Sequence, residues 1–398
     1  VSFRADAEPG PPSPDPFTTL GATSACASLK ELALGVFEAI DDAGDGGLPH
    51  EEVLFATDPV SGLKTIIAIH STALGPALGG TRFFPYPDEA TALADVLRLS
   101  RAMTYKAAAA GLDLGGGKAV IIGDPARFKN ERLLRAYGRS VDSLGGRYIT
   151  AEDVGTTAED MMVIARETKW VTGVPAAFGG SDDPSPATAR GVMTAIATVA
   201  RRLWGGHDLT GRTVAVQGVG KVGRSLVERL TKAGAATVVT DIDNAALDDV
   251  AATYGSRIVG LEDIFDVDCD IFAPCALGGA LNPETIPRLT CAAVVGSANN
   301  QLRDAGDADL LSARGILYAP DFVVNAGGII NITEELRGYS WERAAHAVDG
   351  IGSALEAVLD RAEAAGINPH VAAEEIARER IATVGSLRLR RRSGGGGM

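Results

Sequence analysis

Three features of the chain predict an α/β architecture built on a parallel sheet. Short apolar runs alternate with helix-patterned segments, a glycine-rich turn directly follows one such run, and glycine (48 of 398 residues) punctuates the whole. Leu63–His70 (LKTIIAIH) and Lys118–Ile122 (KAVII) read as strands. Between them Asp88 opens a helix with an acidic first turn. Leu93, Val96, Leu97, Ser100 and Met103 then recur at helical spacing, and Gly111 follows the helix end. Thr213–Gln217 (TVAVQ), Thr237–Asp241 (TVVTD) and Ala292–Val295 (AAVV) are further strands, bounded by turn signals and separated by helical segments. Phe178–Pro186 (FGGSDDPSP) reads as a hinge between two structured halves. Helical patterns at Trp341–Val358 and Val371–Thr383 follow the second half.

A length of 398 residues suits two domains, and 46% hydrophobic with 22% charged residues supplies substantial cores. The net charge of −14 weighs against a phosphate-backbone partner, so no nucleic acid is expected. No apolar run reaches membrane-spanning length, and the N-terminus lacks the order of a secretory signal; the expectation is a soluble, cytoplasmic protein with no membrane partner. Cys26, Cys269, Cys275 and Cys291 form neither a disulfide framework nor a CxxC pair, so no metal site is expected. Residues 1–30, with Pro9, Pro11, Pro12, Pro14 and Pro16, read as an unpacked tail, and residues 386–398 as a basic, glycine-rich second tail. The body divides into a first domain over 31–177 and a second over 178–340, with no internal repeat.

The sharpest local motif is Gly218-Val219-Gly220-Lys221-Val222-Gly223. GxGxxG alone is weak, but here it follows the strand TVAVQ and opens an amphipathic helix with Val222, Leu226 and Leu230 on one face. Glycines there permit the tight turn, the approach of a pyrophosphate and close helix packing, while the helix N-terminus offers free N–H groups; the pattern is that of a Rossmann dinucleotide site. Asp241, ending the next strand, is placed to bind an adenosine ribose, and its charge would repel a 2′-phosphate, favouring NAD over NADP. Gly115-Gly116-Gly117-Lys118 superficially matches an NTP-binding loop, but Leu112 and Ala119 stand where that loop needs glycine and Ser/Thr, which excludes it.

Lys106 and Lys118 sit among Ala, Gly and Leu rather than in a charged run. Desolvation and a second nearby cation both lower a lysine's pKa, which suits proton transfer near neutrality. Asp153, in YITAEDVGTT, lies at a strand-like end before a glycine, placed as a second proton carrier. Structurally, either lysine could instead be an ion-pair partner of Asp113 or Asp153.

GPALGGTRFFPY (Gly75–Tyr86), the two-lysine segment, AEDVGTT, FGGSDDPSPATARGV, VQGVGKVG, APCALGG, SANNQL and YAPDFVVNAGGIIN occur in order between Leu48 and Arg337. Together they resemble the amino-acid dehydrogenase family, and within it the leucine, valine and phenylalanine dehydrogenases. The resemblance implies an N-terminal α/β catalytic domain completed by C-terminal helices over 341–385, a doubly wound Rossmann domain that binds NAD, and substrate in the cleft between them. It implies that Lys118 activates the water that attacks the iminium, that Asp153 shuttles protons at the amino nitrogen, and that Lys106 holds the substrate carboxylate with Gly79, Gly80 and Asn300 nearby. Thr188 resembles the hydroxyl that holds the nicotinamide amide, while Cys275, Ala276, Ser297, Ala298 and Asn299 would line the dinucleotide. The partners implied are an amino acid or 2-oxo acid, ammonia, and further copies of the chain, since the family forms dimers to octamers.

By the same resemblance Leu78, Met103, Ala151, Thr172, Ile329 and Ile332 line the side-chain pocket. The lining offers no partner for a second carboxylate, and glutamate-specific relatives carry lysine where Leu78 stands, so glutamate is disfavoured. Relatives using leucine tend to carry valine where Ile329 and Ile332 sit. The added methylenes shrink the pocket and favour valine, leucine or isoleucine over phenylalanine, each methylene counting for about 1–3 kcal/mol. The chain departs from the family at Ala107, where asparagine is usual. Two alternatives follow: an aromatic amino-acid dehydrogenase, or a catalytically weak dinucleotide-binding sensor.

Overall fold

The structure is a computed structural model and describes residues 49–392, with side chains as far as Leu387. The N-terminal tail expected over 1–30, Cys26 and residues 393–398 lie outside the described residues.

The first half carries β1 (Glu52–Asp58), β2 (Leu63–Ser71), β3 (Ala77–Phe84), α1 (Glu89–Ala109), β4 (Gly115–Ile122), α2 (Pro125–Phe128), α3 (Glu131–Ser143), β5 (Tyr148–Glu152) and α4 (Ala158–Ile164). Its five strands run in the order β1-β2-β4-β3-β5. The β1/β2 and β2/β4 pairs are antiparallel, while β3 pairs in parallel with both β4 and β5. Leu63, Ile67, Ile69, Ala119 and Ile121 form a core on one face with Leu133, Leu134, Tyr137 and Val141 of α3. Helix α1 lies against β4. Asp88 caps it by accepting the Thr91 N–H at 2.7 Å, and Gly111 (φ +72°) lies just past its end.

The expected strand at Lys118–Ile122 begins three residues earlier, at Gly115. Glycine is a poor strand former, so propensity alone misses these residues; here tertiary packing overrides it. A Cβ on Gly116 would collide with the Thr104 backbone of α1, and one on Gly115 with the Ser71 carbonyl. The glycines let helix and strand approach closely.

The second half carries α5 (Ser185–Trp204), β6 (Thr213–Gln217), α6 (Lys221–Lys232), β7 (Ala236–Thr240), α7 (Asn244–Tyr254), β8 (Arg257–Ile258), β9 (Ile271–Pro274), β10 (Ala293–Val294), α8 (Asp307–Ala313), β11 (Leu317–Tyr318), α9 (Asp321–Val324) and α10 (Gly327–Thr333). All strand pairs of this sheet are parallel, in the order β11-β10-β9-β6-β7-β8. Counted from β6, that is the 3-2-1-4-5-6 arrangement of a doubly wound Rossmann sheet, whose order reverses between β6 and β9.

The C-terminal helices are α11 (Trp341–Asp349), α12 (Ile351–Ala365) and α13 (Pro369–Arg392). The helix expected over Trp341–Val358 is therefore two helices meeting at Gly350, where a Cβ would stand 3.0 Å from the Ala347 carbonyl oxygen. The last helix continues through Arg392, so residues 386–392, expected as part of a tail, are helical. Ala377 and Ile381 of α13 pack on Tyr105 and Ala108 of α1, returning the end of the chain to the first sheet's helix. Among the described residues, no helix is long and apolar enough to cross a membrane, and no cluster of three or more His, Cys, Asp or Glu could hold a metal ion.

Candidate functional site

Lys118 on β4 and Asp153, the residue after β5, form an ion pair between Nζ and Oδ2. Their strands are not neighbours, because β3 runs between them. The register pairs Thr81 with Ala119 on one side and Gly80 with Ala151 on the other, which sets Gly80 under the pair. A Cβ on Gly79 would collide with the Gly117 carbonyl oxygen, and one on Gly80 would stand 2.9 Å from the Asp153 Cβ. Gly80 thus leaves the space in which the lysine and the carboxylate meet, while Gly79 lets β3 and β4 approach closely. Burial presses the Asp153 carboxyl toward protonation. The Lys118 ammonium, the Val154 N–H (2.7 Å to Oδ1) and Arg82 outweigh that and hold it below the ordinary carboxylate value. Of the partners open to the lysines in sequence, Asp113 is instead taken by Arg380 of α13 at 2.9 Å.

Lys106, in the last turn of α1, reaches across to the loop after β10 and donates to Asn299 Oδ1 at 3.0 Å. Burial pushes its ammonium down to about 8; Asp321 opposes, and the neighbouring Lys118 charge reinforces. The loop is pinned from behind: Gln301, fully buried, donates to the Gly296 and Ala298 carbonyls at 2.8 and 3.1 Å. Asn300 takes a left-handed backbone (φ +51°). Lys106, Lys118, Asp153, Met103, Asn299 and Asn300 line one cavity of about 460 Å³.

The expected pocket residues divide. Leu78, Ala151, Thr172 and Ile329 are buried, Met103 and Ile332 half-buried. Leu78 and Ile329 belong to one apolar cluster against which Met103 and Ile332 pack. Ala151 and Ile332 line a second cavity of about 660 Å³ together with Asp153, Gly328 and Lys221, so Asp153 borders both. Leu78, Thr172 and Ile329 line neither, being packed against their neighbours. Ala107 is fully buried in the same apolar cluster.

At the reversal between β6 and β9, Gly218 adopts φ +98°, and a Cβ there would stand 2.8 Å from Ala276. A Cβ on Gly223 would collide with the Gly218 carbonyl oxygen, whereas one on Gly220, the N-cap of α6, would project into open space. The turn is therefore closed inward and open outward, which fits a dinucleotide pyrophosphate. Asp241 accepts the Val219 N–H at 2.6 Å and the Asp243 N–H at 3.0 Å. Val222 packs inward against the core, while Lys221 extends to Asp183 in the expected hinge, at 3.3 Å. Thr188 stands against Gly328, and Cys275, whose thiol burial pushes up, is hydrogen-bonded to Ser297.

Several residues at the site escaped the sequence reading. Asn325 donates to Asn299 Oδ1 (3.0 Å) and to the Ser297 and Ala298 carbonyls, while its own Oδ1 is buried without a partner beside the Ser297–Asn299 segment. Ile242 and Leu277, each 84% exposed, follow Asp241 and Ala276. Exposed aliphatics at the ends of β7 and β9 are a signal available only once the strands are placed. Glu335 accepts the Gly173 N–H, the Ser181 N–H and the Ser181 hydroxyl at 2.9, 2.9 and 2.6 Å, tying the end of α10 to the segment before α5.

Residues 50–170 match the family model described as Glu/Leu/Phe/Val dehydrogenase, dimerisation domain. Residues 179–247 and 239–388 match that of Glutamate/Leucine/Phenylalanine/Valine dehydrogenase. The chain is 51% identical to the leucine dehydrogenase of Bacillus subtilis over 83% of its own length and 91% of that protein. It is 51% identical to the valine dehydrogenase of Streptomyces albus, over 87% and 96%. The solved L-tryptophan dehydrogenase of Nostoc punctiforme superposes with a TM-score of 0.77 at 43% identity, over 88% of this chain and 99% of that one. A doubly wound sheet with a glycine-rich turn at its reversal, a buried lysine–aspartate pair and this degree of likeness agree: the chain belongs to the Glu/Leu/Phe/Val dehydrogenase family of amino-acid dehydrogenases.

Proposed function

We propose that the chain catalyses the NAD-dependent, reversible oxidative deamination of branched-chain L-amino acids to 2-oxo acids and ammonia, as a cytoplasmic homo-oligomer. The observation that carries this reading is the Lys118–Asp153 ion pair beside Lys106 in one cavity, in a chain about half identical to leucine and valine dehydrogenases. A bound nicotinamide dinucleotide would supply the hydride acceptor, held by the Gly218–Gly223 turn, Asp241, Thr188 and the Cys275–Ala276 and Ser297–Asn299 segments. Lys106 and Asn300 hold the substrate carboxylate with the Gly79–Gly80 backbone. Lys118 takes a proton from the water that adds to the iminium carbon, and Asp153 delivers one to the nitrogen that departs as ammonia. Their direct contact lets the proton pass between Nζ and Oδ2. Asp241 favours NAD because its carboxylate stands at the end of β7, where a 2′-phosphate would meet a like charge.

Met103 and Ile332, half-buried members of that apolar packing, each border a cavity that Asp153 also lines, and an apolar surface there favours an aliphatic side chain over a second carboxylate. An aromatic substrate is the second reading, and the 43% identity to a tryptophan dehydrogenase favours it. NAD reduction measured with valine, leucine, isoleucine, phenylalanine, tryptophan and glutamate separates the two, with Lys118→Ala as control. Branched-chain turnover lost in that variant is expected. Preference for an aromatic amino acid would replace the substrate assignment, and absence of turnover despite NAD binding would favour a sensor.

A further inference from the structure

Arg82 stands on β3, two residues beyond Gly80, between two carboxylates. Its Nη1 donates to Asp95 Oδ2 at 2.8 Å, and the Tyr86 hydroxyl donates to the same oxygen at 2.6 Å. Arg98 Nη2 donates to the other Asp95 oxygen at 2.9 Å. On its opposite side, Arg82 Nε lies 3.8 Å from Asp153 Oδ2 and, though buried, has no hydrogen-bond partner. Asp95 and Tyr86 therefore hold the guanidinium from behind, and its unengaged edge faces the carboxylate that Lys118 pairs with.

Asp153 is buried enough that its charge needs compensation, and three cations surround it: Lys118, Lys106 and Arg82. Lys118 must be neutral before it can take a proton as a base, and Lys106 titrates near 8. Arginine does not titrate in this range. Arg82 is thus the permanent member of the three. Glu152, Glu159, Asp182 and the Lys221–Asp183 pair border the second cavity. Asp321, Arg101, Arg303, His370 and Glu374 line the first cavity with the lysines.

We propose that Arg82, fixed by Asp95 and Tyr86, is a positioning residue that keeps the Asp153 carboxylate ionised and aimed while Lys118 stands neutral, before it takes the proton from water. The assignment rests on the deaminating activity proposed above. It implies that Asp95 and Tyr86 act on catalysis without touching substrate.

The test is the pH dependence of kcat/KM for the wild-type protein, Arg82→Met, Arg82→Lys and Tyr86→Phe. Arg82→Met is expected to move the acid limb upward by about one pH unit, a tenfold change in the Asp153 protonation equilibrium. It is also expected to lower kcat at neutral pH about tenfold, with the amino-acid KM changed little. Arg82→Lys restores most of both, and Tyr86→Phe shifts the limb in the same direction by less. An acid limb that stays in place in the Arg82 variants overturns the proposal, whatever happens to total activity. If Arg82→Met does not fold, an unmoved limb in both Arg82→Lys and Tyr86→Phe overturns it equally. Carbon-13 titration of the Asp153 carboxyl, assigned with Asp153→Asn, reads the same shift without turnover. An inactive wild-type protein therefore overturns the functional reading, and an unshifted Asp153 resonance in Arg82→Met overturns this one.

Discussion

Lys118 and Asp153 meet across a strand that separates them, and they do so because that strand is bare where they cross it. Gly80 carries no side chain under the pair, its neighbour Gly79 lets the two strands approach, and β4 reaches the same point through three further glycines. A proton-transfer couple on a sheet ordinarily draws on adjacent strands, whose side chains stand closest. Here the ion pair spans two strand intervals at the cost of five residues of poor strand propensity.

Gly80→Ala tests that arrangement directly. The added methyl would stand 2.9 Å from the Asp153 Cβ and press on the Glu152 carbonyl, so it must displace the carboxylate. The expected outcome is a fall in kcat of about 10²-fold with NAD affinity unchanged, since the dinucleotide turn lies on the other sheet. Steady-state kinetics beside NAD titration by protein fluorescence would show it.

Lys118→Ala and Asp153→Asn remove the two halves of the couple. Each should lower kcat by about 10²–10⁴-fold, the usual range for a positioned acid or base. The double variant should lose little more than the worse single one, because the two act as a unit. Losses that multiply would show independent roles.

Lys106 supplies a prediction in pH. Burial lowers its ammonium to about 8, so the positive charge is present below that value and fades above it. The KM for the amino acid should therefore rise as pH increases through 8 and level off below 7. Lys106→Arg, whose charge does not titrate, should flatten that rise even if its absolute KM is poorer.

Asp241, proposed to bind the adenosine ribose, stands at the end of β7 and accepts the Val219 and Asp243 N–H groups. Asp241→Ser removes the charge that would repel a 2′-phosphate. The ratio of kcat/KM with NAD to that with NADP should fall about tenfold or more, measured with the same amino acid.

Glu335 joins the end of α10 to the segment over 173–181 through three donors. Glu335→Ala would leave the Gly173 and Ser181 N–H groups unpaired in a half-buried position, a cost of about 1–3 kcal/mol. Urea unfolding should show a lower midpoint. The amino-acid KM should rise too, because Ile329 and Ile332 lie on the helix that Glu335 anchors.

Much of this was readable along the chain. The dinucleotide turn is a local device: strand, glycines and helix N-terminus are contiguous, so TVAVQ and GVGKVG announce it without knowledge of any other segment. The helix opened by Asp88 is equally local, its cap and apolar face lying within one element. The strand at Gly115–Gly117 was not legible, because its glycines answer to Thr104, Ser71 and Tyr148, which are remote in sequence. The break at Gly350 was missed because the apolar pattern runs on through it.

The sequence by itself determined the residue types that can do the proposed chemistry, the order of the elements and the glycine-rich turn proposed to hold a dinucleotide, since each follows from patterns a few residues long. Only the tertiary structure decided that Lys118 pairs with Asp153 and Asp113 with Arg380, that Arg82 stands between Asp153 and Asp95, and that Asn299 receives both Lys106 and Asn325. Those partnerships join strands, helices and loops far apart in the chain. Distance in space, on which the charge interactions depend, is set by how the sheets and helices pack rather than by spacing along the backbone.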